Sequence, residues 1–302
     1  MKRILLCLAT LLALPSCHRS LVSNKRTLNL KKEIFEPRTT VPRTIVPTET
    51  PYVTVWIHGT RGLKPFDEYV HAAPSKYGLQ TMSSLTNNHR LKKIAHTIAD
   101  ADPVKFPFEH FYAFGWSGDL SFQARHEEAA RLHEQLEELV KMYTKKYGHA
   151  PFIRLITHSH GGNVALNLAT IEHPNKEWFI NEAIILASPV QHKTENLIAS
   201  PLFGKVYSFY SSMDSLQIID PQGLYKKVCA PGDKGLFSQR RFPDHEKLTQ
   251  VKLRINSHGV LHLGFILCGF LKNLPAIIKY LDQWEEEQPH TALEERRLNV
   301  RF

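Results

Sequence analysis

Three side chains in this 302-residue chain can do nucleophilic chemistry together: Ser159, Asp214 and a histidine at 258 or 262. A serine hydroxyl attacks poorly until a base within hydrogen-bond reach takes its proton, and that base needs a carboxylate to fix its tautomer. Ser159 stands in Thr157-His158-Ser159-His160-Gly161-Gly162, where an apolar strand-like run ends and a helical run begins. Gly161 and Gly162 lack a Cβ, so the helix can start close under the strand end and the turn residue can take a strained backbone that lifts its hydroxyl clear. Backbone N–H groups at such a helix start suit a developing negative charge. The plain alternative is a serine N-cap on an ordinary helix.

Asp214 lies in Ser211-Ser212-Met213-Asp214-Ser215, just past a strand-like run over 205–210. Asp220 is the substitute acid, but Asp220-Pro221 reads as a turn initiator, which favours Asp214. A last strand over 251–255 is followed by Asn256-Ser257-His258-Gly259-Val260-Leu261-His262. His258 is nearer the strand end and precedes a glycine, so it is the preferred base. His262, four residues on, is the second candidate for the base and is expected inside a closing helix over 260–284, where it would otherwise buttress the site or bind lipid headgroups. His158 and His160, one residue apart, suggest zinc, but a third ligand and a general base at recognisable spacing are missing. Neither a metal nor another cofactor is expected.

These residues need elements to hold them. Tyr52–Ile57 is a β-branched and aromatic run that suits a strand buried on both faces, and it ends in His58-Gly59-Thr60-Arg61-Gly62. A strand over 109–114 ends in Gly115-Trp116-Ser117-Gly118-Asp119, where Ser117 lacks an elbow helix and reads as a turn residue. Trp116 there either lines a substrate pocket or covers the sheet. Helices are expected over 90–101 and 121–147, the second stopped by Gly148, and a further strand over 179–186. The stretch 63–88 reads as a lid or a surface insertion, and 221–250 as a surface insertion near the pocket mouth. Alternating strands and helices predict an α/β fold, a doubly wound, mostly parallel sheet flanked by helices, with ligands outside the C-terminal strand ends.

At this point Ser159-His160-Gly161 resembles the nucleophile elbow G-x-S-x-G of the α/β-hydrolases, with Thr157 where the first glycine usually lies, and the order Ser, Asp, His matches that superfamily. His58-Gly59 after the first strand is similar to its lipase and esterase branch. The resemblance covers 51–284 and implies an α/β-hydrolase fold and a serine hydrolase cleaving a carboxylic ester. It implies Ser159 as nucleophile, Asp214 as acid, His258 as base, and the N–H groups of Thr60 and His160 as oxyanion donors. Gly59 would allow close backbone approach, and Trp116 would border the substrate. Acyl transfer would use the same residues. A reading of a different class is a surface lipoprotein that keeps the fold as a non-catalytic binding module.

The N-terminus opens with Met1-Lys2-Arg3 and an uncharged apolar run over 4–14, a secretory signal too short to span a membrane. Leu14-Pro15-Ser16-Cys17 resembles a bacterial lipobox, with Pro15 atypical for its position; it implies lipidation of Cys17 and anchoring on a membrane of the cell envelope without crossing it. The expected organisation is a signal peptide over 1–16, a lipidated tether over 17–50 with an edge strand around 28–35, the catalytic domain over 51–284 and a charged, fraying tail over 285–302. Net charge is +9, but the lysines and arginines are scattered without interleaved aromatics, which argues against nucleic acid. The expected partners are an acyl ester or lipid substrate and a membrane surface. Cys7 leaves with the signal, so Cys229 and Cys268 remain and could pair in an oxidising compartment.

Overall fold

The run Tyr52–Ile57 has no polar face to offer water, and in the computed structural model it is an interior strand with residues 53–57 fully shielded. The structure describes residues 26–29, 50–61, 73–74, 76–172, 178–219, 239–287 and 296–301. In chain order the strands are β1 (Arg26–Asn29), β2 (Tyr52–Ile57), β3 (Gly78–Thr81), β4 (Phe111–Gly115), β5 (Phe152–His158), β6 (Ile180–Leu186), β7 (Phe203–Tyr210), β8 (Leu248–Ile255), β9 (His258–Gly259) and β10 (Arg296–Arg301). The helices are α1 (Arg90–Ala101), α2 (Phe122–Tyr147), α3 (Gly161–Asn167), α4 (Cys268–Leu271) and α5 (Leu274–Glu287).

One sheet holds the strands in the order β1-β10-β8-β7-β6-β5-β2-β4-β3, with β9 paired to β8. Every pairing is parallel except β3 with β4 and β9 with β8. Two apolar layers cover it. Leu91, Ile94 and Ile98 of α1 join Phe270, Ile277 and Leu281 of the C-terminal helices on one face, and Leu132, Leu136 and Val140 of α2 join Val164 of α3 on the other. The fold is therefore α/β, a mostly parallel sheet between helical layers, and the C-terminal ends of β2, β4, β5, β6 and β7 share one edge.

α1 and α2 form where their caps and spacing predict. His89 accepts from the Leu91 N–H ahead of α1, Ser121 Oγ accepts from the Ala124 N–H ahead of α2, and Gly148 at φ 83° ends α2 in the left-handed conformation.

Elsewhere the chain departs from the expected pattern. The single closing helix over 260–284 does not form: a 3-10 turn at His262–Ile266 and the short α4 precede α5. Gly264 and Gly269 weaken a helix, and Pro275 suits the first turn of a new one rather than the interior of a longer one. The tail expected to fray carries β10, in which Leu298 and Val300 alternate into the core between β8 and β1. Within the expected tether, β1 pairs with β10, overlapping the predicted edge strand only at its start. The signal over 1–16, Cys17, residues 63–72 of the expected lid or insertion, Asp220, residues 221–238 of the second expected insertion and Cys229 within them lie outside the described residues. Cys268 is exposed and accepts a long hydrogen bond of 3.5 Å from Thr97 Oγ1. Among the described residues no helix is long and apolar enough to cross a membrane.

Candidate active site

Ser159 follows directly on β5 and has φ 54°, a left-handed backbone that a β-carbon-bearing residue seldom takes. Its own N–H donates to Leu186 O at 2.9 Å, its carbonyl accepts from the Gly162 N–H at 3.0 Å, and α3 begins two residues later. The glycines are required by contact. A Cβ on Gly161 would lie 2.5 Å from the carbonyl oxygens of both Ile57 and His58, and one on Gly162 2.5 Å from Ser188 Oγ. The elbow helix is thus packed directly under the end of β2.

That end of β2 carries the His58–Arg61 loop. A Cβ on Gly59 would meet Ser159 Cβ at 2.8 Å, so the loop backbone lies against the nucleophile candidate. Among the described residues the N–H groups of Thr60 and His160 donate to no protein acceptor. Arg61 N–H donates to Gly118 O at 3.0 Å, and its guanidinium donates to Pro74 O.

Asp214 is buried in the turn after β7, with both carboxylate oxygens engaged. Oδ1 accepts from the Gln217 N–H at 3.1 Å and Oδ2 from His262 Nδ1 at 2.8 Å. This corrects the preference for His258. Asn256 and Ser257, at φ 49° and 72°, form a two-residue hairpin loop between β8 and β9, with Ile255 paired to His258. The hairpin leaves His258 exposed, its Nδ1–H donating to Asn256 O at 2.9 Å. The chain then turns back, and His262 reaches the acid.

Two residues that the sequence reading did not place hold this pair. Ser211 Oγ accepts from the Val260 N–H at 2.8 Å and ties the acid turn to the histidine segment. His158, at the end of β5, donates from Nε2 to His262 O at 3.1 Å, and the two imidazole centroids are 4.7 Å apart. His262 is therefore docked onto the strand that ends at Ser159. The only sequence signal for His158 is its position at the strand end beside the serine.

Trp116, expected to border the substrate, is fully buried and stacked on His58 with centroids 5.6 Å apart, packed against the His58–Arg61 loop. His160, 4% exposed, faces Asn163 at 3.5 Å, while His158 faces His262, so the two do not converge as a ligand pair. Burial first, then the neighbouring Arg125 guanidinium and the His262 imidazole, hold the His160 pKa well below its ordinary value and keep the ring neutral. Among the described residues no group of three or more His, Cys, Asp or Glu side chains is placed to hold a metal ion.

No protein-family model and no curated protein matches the chain. Among solved structures it is similar to carboxyl esterase 2 from the mycorrhizal fungus Tuber melanosporum, at 10% identity and a TM-score of 0.33, over 84% of this chain and 69% of that one.

Proposed function

We propose that the chain is a serine hydrolase cleaving carboxylic esters, with Ser159 as nucleophile, His262 as general base and acid, and Asp214 as the carboxylate that fixes the imidazole. The observation that carries this reading is the 2.8 Å Asp214–His262 hydrogen bond at the sheet edge where Ser159 adopts its left-handed backbone. With Nδ1–H committed to Asp214, Nε2 of His262 is the basic nitrogen.

Ser159 Oγ adds to the ester carbonyl carbon as its proton passes to His262 Nε2, and the carbonyl π pair moves onto oxygen. The Thr60 and His160 N–H groups take up that charge, each worth on the order of 3 kcal/mol in comparable sites. As the C–O bond to the alcohol breaks, His262 returns the proton to the leaving oxygen. Water then adds to the acyl carbon, giving its proton to His262, and the acid departs as Ser159 regains its hydrogen.

Met213, Leu261 and Leu263 flank the acid and the base in sequence and are 53%, 59% and 38% exposed, which favours an ester with an apolar acyl or alcohol part over a peptide. The N-terminal signal and Cys17 belong to the same proposal, as the means of export and anchoring at a membrane surface.

A fluorophosphonate probe tests the chemistry. Labelling of wild type and none of Ser159→Ala supports the hydrolase. A folded wild type that takes no label would instead be a binding module. Product analysis with an added alcohol acceptor separates hydrolysis from acyl transfer.

A further inference from the structure

The loop that carries Thr60 is pinned by hydrogen bonds along its length. Trp116 donates two of them to His58: its backbone N–H to His58 Nε2 at 3.1 Å, and its indole Nε1–H to His58 O at 2.8 Å. Because Nε2 accepts, the proton of this neutral ring sits on Nδ1, which lies 2.6 Å from Gly59 O and donates to it. His58 and Trp116 are both fully buried, and their rings are inclined by only 22°.

The consequence follows from peptide geometry. In a trans peptide unit the C=O and the following N–H point in opposite directions, and the unit turns as one rigid plane. His58 Nδ1–H holds Gly59 C=O toward its own ring, so the N–H of the same unit, that of Thr60, is held facing away from the ring. The indole fixes the preceding unit through His58 O, and the Arg61 N–H bond to Gly118 O at 3.0 Å fixes the following segment. A flip of the Gly59–Thr60 peptide would have to break the His58 bond and turn a carbonyl toward the place where negative charge develops.

We propose that His58 and Trp116 are positioning residues that set the direction of the Thr60 N–H, so that the oxyanion donor is fixed before substrate arrives. This rests on the ester-hydrolase reading of Ser159. Neither side chain touches substrate; both act through one peptide plane, which predicts loss of transition-state stabilisation without loss of ground-state binding.

Trp116→Phe keeps an aromatic ring and the backbone N–H but removes the indole donor. His58→Phe keeps the stacked ring and removes both nitrogens. With the full chain and a short p-nitrophenyl ester, kcat is expected to fall about tenfold in Trp116→Phe and about a hundredfold in His58→Phe, with KM within about threefold. Affinity for an alkyl boronic acid, whose anionic tetrahedral adduct on Ser159 needs the same donor, should weaken in step with kcat. A Trp116→Phe protein with wild-type kcat and boronate affinity overturns the inference, as does a variant whose loss is all in KM. Should His58→Phe fail to fold by circular dichroism, Trp116→Phe decides. A wild type that neither hydrolyses the ester nor takes the fluorophosphonate sinks the underlying reading; an active wild type beside an unimpaired Trp116→Phe sinks the positioning role alone.

Discussion

The Asp214 carboxylate meets the His262 imidazole at 2.8 Å across 48 residues of chain, with the Asp214 side chain fully shielded and that of His262 10% exposed. A hydrogen bond so sheltered fixes a ring orientation, because water competes weakly for either partner. His262→Ala is therefore expected to lower kcat/KM by about 10⁴-fold or more, while His258→Ala stays within about twofold of wild type. Ester hydrolysis by the two purified variants checks this. Equal losses would mean that the hairpin rearranges on binding and brings His258 to the acid.

Close packing at the elbow separates two kinds of glycine effect. An alanine Cβ at 161 would meet two backbone carbonyl oxygens at 2.5 Å, which can be relieved only by parting α3 from β2. Gly161→Ala should cost about 1–3 kcal/mol of unfolding free energy, read by urea denaturation. At Gly59 the nearest atom is Ser159 Cβ at 2.8 Å, so Gly59→Ala should displace Ser159 or its loop. The expected result is a loss in kcat larger than the loss in stability.

The elements that could be read from the sequence are those whose signals are local. Tyr52–Ile57 is a run of β-branched and aromatic residues, and Arg90–Ala101 buries Leu91, Ile94, Ala95 and Ile98 at helical spacing. The strand–turn–helix at Ser159 was legible because its glycines stand next to it, and the turn that holds Asp214 because it follows a clear strand, Phe203–Tyr210. His262 was not, since choosing it over His258 depends on a hairpin formed by Asn256 and Ser257, and the usual Asn-Gly signal is absent there. β10 was obscured by arginines that flank its two core residues, Leu298 and Val300. β3, only four residues long, is recognisable by its antiparallel pairing with β4, a contact that sequence periodicity does not report.

The neutral, buried His160 gives stability a dependence on pH. Its folded pKa lies well below the ordinary value of about 6.5, through burial and then the neighbouring Arg125 guanidinium and His262 imidazole. Below pH ~6.5 the unfolded chain takes up a proton that the folded chain refuses, so the unfolded state binds more protons and stability falls as pH drops. Above that value the contribution is fully present. Urea unfolding at pH 5, 6, 7 and 8 should show this decline in wild type and a shallower one in His160→Gln. Parallel curves would show that other groups set the acid limb.

Arg154 and Glu182 are neighbours across β5 and β6, near the strand starts and hence at the end of the sheet opposite Ser159 and His262. Their side chains are 1% and 6% exposed, with Nε and Oε1 at 2.7 Å. The Arg154 guanidinium also donates to Lys105 O at 2.5 Å and lies 4.0 Å from the Phe106 ring centroid. Removing one charge strands the other in a poor solvent, so Glu182→Gln should destabilise the fold by about 3–5 kcal/mol. Replacing both, as in Arg154→Met with Glu182→Leu, removes the desolvation cost along with the attraction and should come back to within about 1–2 kcal/mol of wild type. Both proteins, assayed where they remain folded, should keep kcat within about twofold, because no hydrogen bond of this pair reaches the acid, the base or the oxyanion loop. A double-mutant cycle in urea, run beside ester turnover, tests both halves. A kcat that tracked stability through the cycle would mean that the two ends of the sheet are coupled, and that the alignment of Ser159 with His262 depends on the whole of β5 rather than on its last residues.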